Sequence, residues 1–140
     1  MRRIAVILVI IAMGGTMQAE KTATVETLAK TTTSWNGATL PHYPTGQPEV
    51  TILRITIPAG ARLAVHEHPV INAGVLTKGS LTVVCQDGKR LVLQAGDPIV
   101  EVVNTWHYGM NEGREDAEII VFYAGQLDEP ITVIQGAENE

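Results

Sequence analysis

Glycine and proline interrupt this chain too often for a long helix, and that spacing restricts most of it to short strands. Pro58-Ala59-Gly60, Pro69, residues 77–80, Gln86-Asp87-Gly88, Ala95-Gly96-Asp97 and the glycine-containing loop 109–116 separate runs rich in Val, Ile and Leu. Residues 50–57 alternate cleanly, with Thr51, Leu53, Ile55 and Ile57 on one face and Val50, Ile52, Arg54 and Thr56 on the other, the period of a strand with Arg54 outside. Asp87-Gly88 between the runs 81–85 and 89–93 is the strongest hairpin signal, because both residues tolerate positive φ. Further strands are expected at 63–68, 71–77, 98–103, 117–124 and 131–134. The run 117–124, charged only at Glu118, reads as packed on both faces. The chain is therefore expected to be all-β and antiparallel.

The N-terminus sets the destination. Met1-Arg2-Arg3 is positively charged, Ile4 to Ala12 is apolar without a break, and Gly14, Gly15 and Ala19 are small. This is the pattern of a signal peptide over 1–19, with an apolar core too short to span a bilayer. A secreted or periplasmic protein without stable membrane insertion after processing is expected. Removing Arg2 and Arg3 leaves eight basic residues of the original ten against fifteen acidic ones, a net charge of −7. Such a surface repels nucleic acid, which is not expected as a partner. The sole cysteine, Cys85, precludes an intramolecular disulfide and is expected to be a buried small hydrophobe. The roughly 120 residues left after the signal suffice for one core. They divide into an N-terminal arm and loop over 20–48, a barrel domain over 49–135 and a tail over 136–140. The arm is threonine-rich over 20–33, disordered alone or able to add an edge strand to a neighbour, and Trp35-Asn36-Gly37 marks a turn after it.

The chemistry concentrates between Gly60 and Asn111, where three of the four histidines lie. A neutral imidazole nitrogen is a good donor to divalent iron, zinc, nickel or copper, provided that several converge on one point. His66 and His68 are two apart, so on a strand both rings share a face. His107, after the strand-like run 97–103, is the third candidate metal ligand. His42, between Pro41 and Pro44, reads as a loop residue.

These residues resemble the two motifs of the cupin superfamily. Gly60, His66, His68 and Gly79 fall in register with the first motif, with Asn72 at the position of its glutamate. Gly96, His107 and Asn111 match the second, with Val102 and Asn104 in place of its proline and second glycine. The resemblance covers residues 49–123 and implies a double-stranded β-helix, the cupin or jelly-roll barrel, often extended by dimerisation, so a homodimer is expected. It also implies one divalent metal ion per chain, Fe2+ or Zn2+ before Ni2+ or Mn2+, held by His66, His68 and His107.

Asn72 is the candidate catalytic residue. It can ligate weakly, hydrogen-bond a metal-bound water or line the cavity. Glu101 can be a catalytic carboxylate or a substitute for the missing glutamate, but its phase against Val100 and Val102 favours a solvated outer face. Trp106 and Tyr108 are expected to pack, Met110 to line the cavity or core, and Asn111 to hold the loop after His107. A three-imidazole shell with open positions suits an oxygen-dependent, dioxygenase-like oxidoreductase or a Lewis-acid enzyme acting on a small organic molecule. The alternative is a non-catalytic cupin that captures a small molecule or metal.

Overall fold

The computed structural model describes residues 22–137, so the signal peptide expected over 1–19 lies outside the described residues, as does the end of the tail. Among the described residues nine strands form in chain order: β1 (Pro48–Ile57), β2 (His66–Glu67), β3 (Ile71–Lys78), β4 (Ser80–Cys85), β5 (Arg90–Gln94), β6 (Pro98–Val100), β7 (His107–Met110), β8 (Ala117–Gln126) and β9 (Val133–Ile134). They pair antiparallel in two sheets, one ordered β1-β8-β3-β6 and the other β5-β4-β7-β2-β9. The all-β, antiparallel jelly-roll barrel expected from the sequence is the observed fold.

The pleat accounts for the core. Along β8, Ala117, Ile119, Val121 and Tyr123 are buried, and they meet Ile57, Leu76, Leu81, Val83, Leu93 and Ile99 between the sheets. The intervening residues of β8 point outward, and Phe122 is 43% exposed. The expectation that 117–124 packs on both faces is thus corrected: the outer row, Glu118, Ile120, Phe122 and Ala124, is half-buried or exposed within this chain. Gly74 lets β3 and β8 approach closely, since a Cβ there would lie 2.6 Å from the Ile120 carbonyl oxygen. The Asp87-Gly88 turn joins β4 to β5, with Gly88 at φ 84°.

The expected strand at 63–68 shrinks to His66–Glu67. Its first half is held by single contacts instead, Arg62 bridging Met110 and the Leu63 amide donating to the Gly109 carbonyl. The run 98–103 likewise stops at Val100. There the Glu101 side chain accepts from the next residue's own amide, Val102 N, at 2.9 Å, which turns the chain out of the ladder. Residues 34–38 make the expected turn, closed by Ser34 N to Ala38 O at 2.8 Å with Gly37 at φ 93°. The Trp35 amide then donates to the Val100 carbonyl, docking the turn on the end of β6.

Candidate metal centre and cavity

Backbone register brings the three histidines together. His66 on β2 pairs directly with His107 on β7. His68 follows on the same side, and the three ring centroids lie 4.4 to 5.1 Å apart. One ring nitrogen from each falls within 4.8 Å of the others, a separation that a single ion can bridge.

The second nitrogen of each ring is tied to a backbone carbonyl. Nδ1 of His66 meets Ala64 O, Nδ1 of His68 meets Ile131 O and Nδ1 of His107 meets Thr105 O, each at 2.8 Å. A carbonyl only accepts, so Nδ1 carries the proton in all three rings and Nε2 is left as a bare lone pair. Such bonds fix both tautomer and ring orientation in metal sites. Burial reinforces the neutral form, lowering the pKa of His66 and taking that of His68 from 6.5 to about 4. The donor set fits a divalent ion: three imidazoles preoriented by their backbone bonds, with His66 and His68 held where burial disfavours protonation.

Around the histidines is a cavity of about 300 Å³. Its walls are the inner faces of both sheets, including Ile57, Leu81, Val83, Ile119 and Val121. Leu53 on β1 and Ile134 on β9 also line it and are partly exposed, at the outer strands of the two sheets. Asn72 is buried and lines the same space, its Nδ2 donating weakly to Val70 O at 3.4 Å. Tyr123 packs edge-on against His68 with its hydroxyl pKa raised by burial.

Glu101 departs from the expected outer face. It is 8% exposed and lines the cavity. Its Oε1 accepts from Trp35 Nε1 at 2.8 Å as well as from Val102 N, and its carbonyl accepts from the Ser34 hydroxyl. Its Oε2 lies 3.8 Å from His107 Nε2. The difference is one of phase: Ile99 and Glu101 line the cavity together, and Val100 does not, so the alternation of β6 runs inward at the residues opposite to those expected. Neither a period nor a motif points to Trp35 as its partner, 66 residues away.

Met110 also departs from expectation. Gly109, not Met110, lines the cavity, because β7 alternates inward at His107 and Gly109. Tyr108 faces the other way, under the Arg62 guanidinium at 3.8 Å. His42 is exposed in its loop, away from the cluster. Cys85 is buried, as expected. Asn111 holds the following loop by donating to Ile57 O and Glu115 O and accepting from Gly113 N.

Comparison with known proteins agrees with this architecture. No curated protein matches the chain significantly. Among solved structures, oxalate oxidase in complex with the substrate analogue glycolate is 26% identical, with a TM-score of 0.53 over 61% of this chain and 46% of that one. The DMSP lyase DddQ from Ruegeria pomeroyi is 19% identical, with a TM-score of 0.55 over 65% of this chain and 45% of that one. A double-stranded β-helix protein from Klebsiella pneumoniae is 19% identical, with a TM-score of 0.54 over 70% of this chain and 90% of that one. The aligned region spans less than half the length of the oxidase and the lyase, and at these identities the last two carry the fold alone. The cupin-domain family model matches residues 53–123, from the inward Leu53 of β1 to the inward Tyr123 of β8 and across all three histidines. On that match, which takes in half of the 140 residues, the chain belongs to the cupin family.

Proposed function

We propose that this chain is an exported mononuclear metal enzyme that acts on a small organic molecule in the barrel cavity. The observation that carries the reading is the gathering of three histidine ring nitrogens within 4.8 Å of one another while each Nδ1–H is pinned by a backbone carbonyl. His66, His68 and His107 would hold the ion. When bound, iron(II) would supply oxygen-dependent, dioxygenase-like redox chemistry, and zinc, nickel or manganese a Lewis acid.

The chain's own residues do the rest. The apolar walls exclude water and orient the ligand's body. Asn72, a neutral amide at the same cavity, orients the ligand's polar end, and Glu101 presents an acceptor there. Export rests on the Arg2-Arg3 charge and the apolar run that follows it. Self-association rests on the uncovered apolar row of the β1-β8-β3-β6 sheet. The net charge of −5 supports the absence of nucleic acid from the partners.

Metal analysis tests the central claim. Protein purified without chelator or affinity tag, then offered iron(II) anaerobically, should take up about one equivalent per chain, whereas His66→Ala and His107→Ala should each lose most of it and remain folded. His42→Ala is the control and should load like the wild type. Full loading of both cluster variants would refute the site. Consumption of oxygen on adding ligand to the iron form separates an enzyme from a protein that only captures its ligand.

A further inference from the structure

Glu101 enters the cavity beside Asn72. Its amide donates to the Asn72 carbonyl at 3.0 Å, which makes the two residues neighbours where the chain leaves β6 along β3. Both side chains are buried and line the cavity. Next to the amide of Asn72, a carboxylate therefore arrives from a different segment of the chain.

The polar atoms of Glu101 are committed except one. Ser34 Oγ donates to its carbonyl at 2.9 Å, and Trp35 Nε1 and Val102 N donate to Oε1 at 2.8 and 2.9 Å. Oε2 is left, 3.8 Å from His107 Nε2. Metal bonds to an imidazole nitrogen and a carboxylate oxygen are each about 2.0–2.2 Å long, so one ion can span two such donors up to about 4 Å apart. Buried carboxylates are paired or coordinate a metal. Among the described residues, no lysine or arginine lines this cavity to serve as the partner.

Two of the bonds on Glu101 come from ahead of the barrel. Ser34 and Trp35 sit in the turn 34–38, which precedes the residues 53–123 matched to the cupin domain, and Trp35 N fastens that turn to Val100 O. We propose that Glu101 Oε2 is a carboxylate donor to the ion on His66, His68 and His107, and that Trp35 is the positioning residue that aims it. The indole N–H fixes Oε1, and with it the rotation of the carboxylate that turns Oε2 toward His107. The inference rests on the metal-site reading for the ion, whereas the bonds that orient the carboxylate do not.

Cobalt(II), whose visible bands respond to its donor set, is titrated into the full chain and into Trp35→Phe, Glu101→Gln and the double variant. Phenylalanine keeps an aromatic ring against the core that Trp35 packs on and removes the N–H. Each single variant should bind cobalt about tenfold more weakly and shift the visible bands in the same direction. The double variant should bind no more weakly than Glu101→Gln, since Trp35 acts only through Glu101. Additive losses, or wild-type bands in Trp35→Phe, overturn the positioning role. Wild-type affinity and bands in Glu101→Gln overturn the carboxylate donor and leave the three-histidine site standing. No uptake by the wild type refutes the metal-site reading, and this assignment with it. Should Trp35→Phe fail to fold, Ser34→Ala removes the other side-chain bond from the same turn and takes its place, with the same outcomes expected.

Discussion

Glu101 Oε2 and His107 Nε2 are two hydrogen-bond acceptors that face each other at 3.8 Å inside an apolar barrel. With Nδ1–H committed to Thr105 O, the contact is favourable only with a proton or a cation between the two atoms, so the pair marks a place where one binds. The two atoms reach it from opposite routes. His107 is placed by the β7 ladder, and Glu101 by a chain segment that has just left β6 and is pinned by Trp35 and Ser34.

Glu101→Gln should therefore move two quantities in opposite directions. Oε1 keeps the two N–H donors from Trp35 and Val102, so the new amide NH2 faces His107 Nε2 and can donate to it. In the metal-free protein this closes the gap and should stabilise the fold by about 1 kcal/mol. Metal affinity should fall by about tenfold, because the ion must displace that donor and loses a nearby negative charge. Thermal melts in chelator and a competitive metal titration read the two effects. Movement of both in the same direction would contradict the assignment.

Acid should destabilise the metal-free chain through the same cluster. The folded-state pKa of His68 is depressed by burial to about 4 from an ordinary 6.5, and that of His66 is lowered for the same reason. Between those values the unfolded chain binds the proton that the folded chain refuses. Stability is then fully present above pH 6.5 and is lost as pH falls toward 4, by about 3 kcal/mol for His68 alone. Melting temperature followed from pH 7 to pH 4 in chelator should decline more steeply for the wild type than for His68→Gln. Parallel curves for the two proteins would remove His68 from the account.

Asn111 should be a structural residue that leaves metal content alone. It is 1% exposed and satisfies three backbone groups, the carbonyls of Ile57 and Glu115 and the amide of Gly113. Asn111→Ala leaves those groups short of a partner at the base of the loop and should cost about 2–4 kcal/mol in urea unfolding. Its metal stoichiometry should stay at the wild-type value when folded. A loss under 1 kcal/mol, within the range of ordinary surface substitutions of about 0.5 kcal/mol, would show that the loop finds other partners.

Much of this was legible in the sequence because the relevant information is local. The strand alternation at 50–57, the Asp-Gly hairpin, and the spacing of His66, His68 and His107 each depend on residues within one element or on a motif of fixed spacing. What escaped depends on which phase of a strand faces the core. Glu101 shares the inward phase of Ile99, but a run in which Ile99, Val100, Val102 and Val103 are all apolar does not say which phase that is. Met110 was read inward because the phase of β7 is set by the His66–His107 pairing and not by its own composition. The two rows along β8 differ in sequence only by Glu118, and the geometry of the barrel decides which one is covered.

That uncovered row leads to the last prediction. Ile52 on β1 and Phe122 on β8 are directly opposed in the ladder, 66% and 43% exposed, with Val50 beside them at 59%. The arm adds Val25 and Leu28, both exposed in a segment that pairs with none of the nine described strands. Contiguous apolar surface on a sheet is a mark of association, and the acidic charge of the chain does not offset it locally. The expected homodimer should form through this face, with the arm of one copy lying against the other. Ile52→Asp and Phe122→Asp place a carboxylate at its centre and should each convert the dimer to a monomer in sedimentation at micromolar concentration, with the melting temperature of the barrel changed little beyond the loss of the partner. Deleting residues 22–31 should weaken the dimer without abolishing it. A wild type that sediments as a monomer, or aspartate variants that stay dimeric, would assign the apolar row to a different partner.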